Sequence, residues 1–503
     1  MPNAKTDSHA QPPTHELSTA QRRAVHELLR VSPVADDLAH RFREAGFSLA
    51  LVGGSVRDAL LGRLGNDLDF TTDARPQDAL KIVRPWADAV WEVGIAFGTV
   101  GCRKTAAAGK GAEAGDEAAE ALDYQIEITT YRSEVYDRTS RKPEVSYGDS
   151  IEEDLVRRDF SVNAMAVALP EKEFIDPHNG LEDLALRVLR TPGAPQDSFT
   201  DDPLRMMRAA RFAAQLDFAV DGPVLEAMRE MAERIDIVSA ERVRDELNKL
   251  LLSPHPRKGL EILVDTGLAE QVVPEIPALR LERDEHHRHK DVYEHSLTVL
   301  EQAMDLEEDG PDLTLRLAAL LHDIGKPRTR RFEKDGRVSF HHHEVVGAKM
   351  TRKRMAALKY SNELVKDVSR LVELHLRFHG YGLGEWTDSA VRRYVRDAGP
   401  LLDRLHKLTR SDCTTRNKRK ANALSRAYDG LEDRIARLQE QEELEAIRPE
   451  LNGNDIMQIL GLAPGPEIGR AYRYLLDQRL EHGPMGREAT EATLREWWAG
   501  QQG

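Results

Sequence analysis

Cysteine is nearly absent: Cys102 and Cys413 are the only two in 503 residues. They stand far apart without partners at motif spacing, so no disulfide framework is expected and the usage fits a reducing cytoplasm. No apolar run approaches the ~18 residues that a membrane span needs. The stretch from Met1 to Thr14 is polar and contains proline, without the apolar core of a signal peptide, and reads as a disordered tail. Positive charge is also in short supply, with 71 Lys and Arg against 86 Asp and Glu and a formal net charge of −15. That balance argues against a general polyanion binder. Any grip on RNA must then be local, and the candidate clusters are Arg138 to Lys142, Arg157-Arg158, Arg352-Lys353-Arg354 and Arg416 to Lys420. Taken singly, each also reads as solvated surface. The length implies several domains, and 40% hydrophobic residues supply their cores.

What is present begins with Gly53-Gly54-Ser55-Val56-Arg57-Asp58, followed closely by Asp67-Leu68-Asp69. In a strand, side chains at i and i+2 point the same way, so Asp67 and Asp69 aim two carboxylates at one spot. Such a spot suits Mg²⁺, which is held by one or two carboxylates plus substrate phosphates, and a metal pair can stabilise both attacking and leaving oxygens. The glycine pair follows the apolar run Leu49-Ala50-Leu51-Val52 and lets backbone N–H groups approach a triphosphate, to which Arg57 adds charge. Each piece alone is common in turns and loops. In this order they meet several requirements of one mechanism, metal-dependent nucleotidyl transfer.

Up to about residue 190, short runs rich in Val, Ile and Phe alternate with helical patterns, which predicts a mixed sheet with helices packed on it. Beyond it nearly everything reads as helix. Residues 105–121, rich in Ala, Gly, Lys and Glu, interrupt two strand candidates and read as a flexible insertion. The following strand, Tyr124 to Thr130, alternates, and Glu127 is the candidate third carboxylate; an exposed strand glutamate is the competing reading. Ser133 to Ser150 is charged and aperiodic. Gly and Pro near Leu252 to Gly259 and Pro274 to Pro277 mark further boundaries.

The motifs continue through Glu152-Glu153-Asp154-Leu155-Val156-Arg157-Arg158-Asp159-Phe160-Ser161-Val162-Asn163-Ala164, Asp176 to Asp183 with Leu189-Arg190, Asp201-Asp202-Pro203-Leu204-Arg205-Met206-Met207-Arg208-Ala209-Ala210-Arg211-Phe212, and Glu241 to Leu247. Together with the glycine and Asp67/Asp69 motifs, over roughly residues 35 to 280, this resembles the class II tRNA nucleotidyltransferases and bacterial poly(A) polymerases of the polymerase-beta-like superfamily. Asp201 stands where that family has Glu, a conservative departure. The resemblance implies catalysis by Asp67, Asp69 and Glu127 with Mg²⁺, and nucleotide binding by Gly53, Gly54, Arg57, Arg158, Asp159, Asn163, Asp202, Arg205, Arg208 and Arg211. It also places a nucleotide-selecting loop at Ser133 to Ser150. Physically, Asp202 before Pro203 reads as a helix N-cap, with Arg205 on the same face. An Asp acceptor beside an Arg donor also matches the amine and ring nitrogen shared by cytosine and adenine, and mismatches uracil and guanine at about 1–3 kcal/mol per unpaired group. The family uses these two positions as a protein template. Arg208 and Arg211 continue the stripe, toward phosphates or toward solvent.

A second constellation lies in the helical half: His295 within Asp291 to Leu297, His322-Asp323 before Ile324-Gly325-Lys326-Pro327, and Asp412. Imidazole and carboxylate together suit a transition metal or Mg²⁺ that activates water for phosphoester hydrolysis. Residues 285 to 415 resemble the HD-type metal phosphohydrolases, which implies His295, His322, Asp323 and Asp412 as ligands of a divalent ion, Mg²⁺, Mn²⁺ or Ni²⁺. His343 and His375 stand where related domains place second-metal ligands. His286, His287, His289, His341 and His342 read more simply as exposed polar residues. After residue 415 the chain resembles the C-terminal portion of HD-containing nucleotidyltransferases, which implies a tRNA-contacting tail.

The sequence thus predicts an α+β protein: a tail and first helix at 1–30, a mixed-sheet nucleotidyltransferase head at 31–190, an all-α neck at 191–278, an HD domain at 279–415 and a helical tail at 416–503. The expected activity is addition or repair of the 3′-terminal CCA of tRNA from CTP and ATP, in the cytoplasm. The alternatives are a poly(A) polymerase, a CC- or A-adding specialist, or an HD phosphohydrolase whose N-terminal half only binds RNA.

Overall fold

The structure is a computed structural model. It describes residues 33–501 apart from 64, 93, 96–97, 108–120, 133–146, 149, 281–290, 335–337, 379–385, 414–417 and 443–447. The predicted N-terminal tail, most of the predicted insertion and nucleotide-selecting loop, the cluster at Arg138 to Lys142, and His286, His287 and His289 lie outside the described residues. The chain forms two compact units, one ending at Ile235 and the other beginning at Asp236.

In the first unit, α1 (Pro33–Glu44) leads into β1 (Leu49–Val52), α2 (Gly54–Leu60), β2 (Asp67–Thr72) and α3 (Pro76–Val83). Then come β3 (Ala89–Trp91), β4 (Thr99–Ala107), β5 (Ala121–Thr130), α4 (Ile151–Val156), β6 (Ala166–Leu169) and β7 (Glu173–Ile175). The seven strands form one sheet in the order β3-β4-β5-β2-β1-β6-β7. Of its pairings only β2 with β5 is parallel; the others are antiparallel. All four residues of β1 are buried, as its unbroken apolar run requires of a central strand covered on both faces. The interruption predicted at 105–121 is shorter than expected, because the β4–β5 ladder extends to the Ala107–Ala121 pair.

The first unit continues with α5 (Gly180–Leu186), β8 (Val188–Leu189), α6 (Pro195–Asp201), α7 (Leu204–Leu216), β9 (Ala219–Val220) and α8 (Gly222–Met231). The two short strands β8 and β9 pair in parallel within this otherwise helical stretch. Helix α7 is buried along most of its length, with Met206, Met207, Ala209, Ala210 and Ala213 fully enclosed.

Among the described residues, the second unit is helical apart from one two-residue strand pair at Arg331–Phe332 and Val338–Ser339. Its helices include α9 (Ala240–Leu251), α10 (Pro256–Asp265), α11 (Leu268–Val272), α12 (Val292–Met304), α13 (Leu313–Leu321), α14 (Lys326–Thr329), α15 (His343–Ala357), α16 (Asn362–Leu374), α17 (Asp388–Ala398) and α18 (Leu402–Ser411). Helix α13 packs against α12, α16 and α18, so its buried face of Leu315, Leu317, Ala318, Leu320 and Leu321 is the hub of this bundle. Arg316 pins that hub: its guanidinium pairs with Glu307 and donates to the carbonyls of Leu251 (2.7 Å) and Ser253 (2.9 Å) at the end of α9. Such a buried charge is tolerated because its donors are paired. Beyond lie α19 (Lys418–Glu442), α20 (Gly453–Leu460), α21 (Pro466–His482) and α22 (Arg487–Gln501). A capping box at Asn452 and Asp455 starts α20, and Leu451, Ile456, Ala471, Leu475 and Leu494 form a separate small core for the last three helices. Among the described residues, no helix is long and apolar enough to cross a membrane.

Candidate active site and metal centre

Asp67 and Asp69 head β2, with buried Leu68 pointing the other way between them. Asp69 is the direct register partner of Glu127 on β5, and Asp67 of Gln125. Glu127 is exposed and stands beside the aspartate pair through that register. The Asp69 carboxyl is raised above the usual range, first by burial and then by the charges of Glu127 and Asp67, against the opposing pull of Arg158 and Arg57. Three carboxylates crowded in this way repel one another, and a bound divalent cation relieves that repulsion.

Gly53 turns the chain from β1 into α2 at φ +68°, a region disfavoured for side-chain-bearing residues. A Cβ there would also come within 2.7 Å of Arg158 Nη1. The glycine therefore makes room for the guanidinium, which Asp154 holds at 3.0 Å. Ser55 ties this turn to the carboxylates: its hydroxyl accepts from Asp69 N at 2.9 Å and donates to the Asp67 carbonyl.

Arg57, Asp159 and Asn163, all buried, and the partly exposed Arg208 form one relay. Arg57 pairs with Asp58 and donates to Asn163 Oδ1 at 2.7 Å. The Asn163 amide donates to Asp159 Oδ1, and Arg208 donates to Asp159 Oδ2 at 2.8 Å. Burial pushes the Asp159 carboxyl up, but Arg208 and the hydrogen bonds from Asn163 and Arg208 outweigh it and hold it down to about 2. Both carboxylate oxygens are thus occupied by the protein itself. Arg211 is not on a solvated surface: it is buried, donates to Gln215 at 2.7 Å and lies 3.8 Å from the centre of the Phe212 ring.

Asp202 does cap α7, accepting from Leu204 N at 3.1 Å. Arg205 Nη1 donates to Ser198 Oγ at 2.9 Å and Nη2 to the Arg157 carbonyl at 2.5 Å. Asp176, in the intervening motif, accepts from Gly180 N and Leu181 N, and Asp183 holds Ser161 and Arg190. These last residues brace the fold beside the site.

In the second unit, helix ends converge. His295 lies in the first turn of α12, His322 caps the end of α13, His375 the end of α16, Asp412 the end of α18, and His343 opens α15. His295 Nε2 is 2.9 Å from Asp412 Oδ1 and 3.5 Å from Asp323 Oδ2, and His322 Nε2 is 3.2 Å from the same Asp323 oxygen. His343 Nε2 approaches the other oxygen, Asp323 Oδ1, at 3.2 Å, and His375 Nε2 at 4.0 Å. Asp323 is therefore shared by two trios of metal-ligand type, His295-His322-Asp323 and Asp323-His343-His375.

The tautomers follow from the outer bonds. Nδ1 of His322, His343 and His375 donates to the carbonyl three residues earlier, those of Ala319, Phe340 and Val372, at 2.7–2.8 Å. In the neutral rings Nε2 then presents a lone pair, the orientation a metal ligand needs. His375 is neutral, because burial and the neighbouring His322 drive its pKa down to about 3. Among the described residues, Asp323 Oδ1, His343 Nε2 and His375 Nε2 are buried without hydrogen bonds. Acceptors so close suit a shared cation, and the donor set fits a divalent ion at each trio. Gly325 permits the arrangement, since a Cβ there would overlap the carbonyl of His343. Lys326 Nζ, 2.5 Å from Asp323 Oδ2, is a participant that the sequence reading did not single out. His341 and His342 are exposed, as expected.

A mixed sheet presenting a carboxylate pair behind a glycine turn, followed by helices carrying the Asp-Pro-x-Arg stripe, defines a divalent-metal-dependent nucleotidyltransferase. Residues 49–190 match the poly(A) polymerase head domain, residues 217–279 the probable RNA and SrmB-binding site of polymerase A, and residues 292–417 the HD domain. The chain is 36% identical to the A-adding tRNA nucleotidyltransferase of Deinococcus radiodurans over 70% of its own length and 80% of that protein's. It is 31% identical to the CC-adding tRNA nucleotidyltransferase of Thermus thermophilus, covering 90% and 94% of the two chains. It is 29% identical to the CCA-adding enzyme of Streptococcus gordonii, covering 91% and 95%. In fold it is similar to the crystal structure of the Bacillus stearothermophilus CCA-adding enzyme in complex with CTP, at a TM-score of 0.64 and 24% identity, covering 93% and 98%. The chain belongs to the tRNA nucleotidyltransferase and poly(A) polymerase family, with an HD domain in its helical half.

Proposed function

We propose that this enzyme adds or repairs the 3′-terminal CCA of tRNA, using CTP and ATP and releasing pyrophosphate. The observation that carries the reading is the grouping of Asp67, Asp69 and Glu127 beside the Gly53 turn and Arg158. Asp67 and Asp69 would hold Mg²⁺, with Glu127 as third carboxylate. Bound there, the ion neutralises the triphosphate and lowers the cost of in-line attack by the tRNA 3′-hydroxyl. Gly53, Gly54 and Arg158 receive the phosphates; Asp202 and Arg205 select the base; Arg57, Asp159, Asn163, Arg208 and Arg211 position the nucleotide. The division into head (31–190), neck (191–278), HD domain (279–415) and tRNA-contacting tail (416–503), and a cytoplasmic location, belong to the same proposal.

A narrower reading, addition of CC or of A alone, draws support from the similarity to the A-adding and CC-adding enzymes described above. Incubating the protein with tRNA lacking its last three nucleotides, with CTP, ATP or both, and sequencing the product 3′ ends, decides between them. Growth by CCA supports the full activity, growth by CC or none a specialist, and a long A tract a poly(A) polymerase.

For the HD half we propose a metal-dependent phosphohydrolase using Mg²⁺, Mn²⁺ or Ni²⁺ at His295, His322, Asp323 and Asp412, with His343 and His375 completing a second ion's set. Three buried acceptors turned on one point support it.

A further inference from the structure

One aromatic ring in the first unit is approached by three guanidinium groups. Phe212 is buried at 4% exposure near the end of α7. Arg211 Cζ lies 3.8 Å from its centroid, Arg57 Cζ 5.0 Å and Arg208 Cζ 5.3 Å, while Phe160 meets the ring edge-on at 5.8 Å and 85°. Two of these cations, Arg208 and Arg211, share the helix with Phe212. The third, Arg57, comes from α2, directly after the glycine turn, and its charge acts on Asp69. Phe212 is thus where the helix bearing Asp202-to-Arg211 and the helix bearing the glycine turn meet through a π face.

Three like charges around one ring repel, and each is given an oxygen partner: Asp58 for Arg57, Asp159 for Arg208, Gln215 for Arg211. Those partners hold the guanidinium groups; the negative face of the ring attracts the cations themselves, most strongly at the buried Arg57 and Arg211, where water is excluded. An aliphatic residue of similar size fills the volume without that attraction.

We propose that Phe212 is a positioning residue for nucleotidyl transfer: its π face sets the guanidinium groups of Arg57, Arg208 and Arg211 for the incoming nucleotide. The role rests on the nucleotidyltransferase reading above. It acts through the arginines, so its loss is read in nucleotide KM more than in the stability of the fold.

The test replaces Phe212 with mono-, di- and trifluorophenylalanine, which withdraw charge from the ring face while nearly preserving its shape. Incorporation from CTP and ATP into truncated tRNA is measured alongside thermal melting. The expected result is a stepwise fall in kcat/KM, roughly two- to tenfold across the series and carried by nucleotide KM, with the melting temperature unchanged. Phe212→Leu should lie at or beyond the trifluoro end. A flat series with active wild-type protein overturns the role of Phe212 alone. Wild-type protein that incorporates no nucleotide into tRNA lacking the whole CCA or into tRNA ending in CC overturns the functional reading, and the role of Phe212 with it.

Discussion

Asp69 and Glu127 are register partners across the parallel β2–β5 pair, which sets a third carboxylate beside the Asp67/Asp69 pair. Parallel neighbours in register present their side chains on the same face of the sheet, so this adjacency is a property of the backbone pairing. It also explains why the Asp69 carboxyl is raised: burial removes water from it, and Glu127 adds a like charge.

The first prediction follows. Asp67→Ala or Asp69→Ala should lower nucleotide incorporation by roughly 10²–10³-fold or more while tRNA binding persists, because transition-state stabilisation is what is lost. Glu127→Gln keeps the shape and removes one charge; as a catalytic carboxylate it should also cost rate at saturating Mg²⁺. Near-normal turnover by Glu127→Gln would return that residue to the role of a strand glutamate, and substantial turnover by the Asp67/Asp69 double mutant would refute the metal pair.

The HD cluster makes an independent prediction. His322→Ala or Asp323→Ala should abolish hydrolysis of 2′,3′-cyclic phosphates and phosphomonoesters and spare nucleotide addition. Because Asp323 is shared by both trios, its replacement should deplete bound metal more than His343→Ala or His375→Ala, each of which touches one trio. Metal content by mass spectrometry checks this; equal metal loss in every variant would argue against two separate ions.

The carboxylate grouping of the first unit was legible in the sequence because it is local, whereas His295, His322, Asp323 and Asp412 come from helix ends far apart in the chain and were named from a resemblance. Period-two spacing paired Asp67 with Asp69, and the alternation of Tyr124 to Thr130 singled out Glu127. What was not legible depends on pairings distant in the chain. The burial of Asp159, whose oxygens are taken by Asn163 and Arg208, needs α7 to fold back on the head. The same docking turns Arg211 inward, where one-dimensional spacing left phosphates and solvent equally open. Likewise the ends of β4 and β5 were read as a flexible insertion from composition, whereas cross-strand pairing carries the ladder to Ala107 and Ala121.

Asp159 gives the acid-stability prediction. Its folded-state pKa of about 2 lies below the unfolded carboxylate value of about 3.9. The sign is therefore that of a stabilising carboxylate: its contribution is fully present above about pH 4 and is lost as pH falls toward 2. Asp159→Asn, which strands Arg208 without its counter-charge, should cost about 2–3 kcal/mol near neutral pH. Denaturant melts at pH 7 and pH 3 measure it: the gap between wild type and variant should narrow in acid, and an unchanged gap would assign the loss to packing.

The last prediction separates the two roles of Asp202. The observed bond from Leu204 N to Asp202 Oδ1 is a helix cap, and losing it in Asp202→Ala should cost about 1 kcal/mol whatever the residue does for the nucleotide. Serine caps about as well as aspartate but places its oxygen closer to the backbone and carries no charge. Asp202→Ser should therefore melt like wild type. If Asp202 also accepts the amine of cytosine or adenine, the shorter side chain cannot reach it, and discrimination against UTP and GTP should weaken in Asp202→Ser as much as in Asp202→Ala. Arg205 should behave differently, since Ser198 and the Arg157 carbonyl already hold its guanidinium. Arg205→Ala should relax base choice and also slow addition of the correct nucleotides, because the base is no longer held in line with the metals. Single-turnover incorporation of all four nucleotides by the three variants, read beside their melting temperatures, decides the matter. Wild-type selectivity in Asp202→Ser would leave Asp202 as a cap and move the search for the template elsewhere on α7.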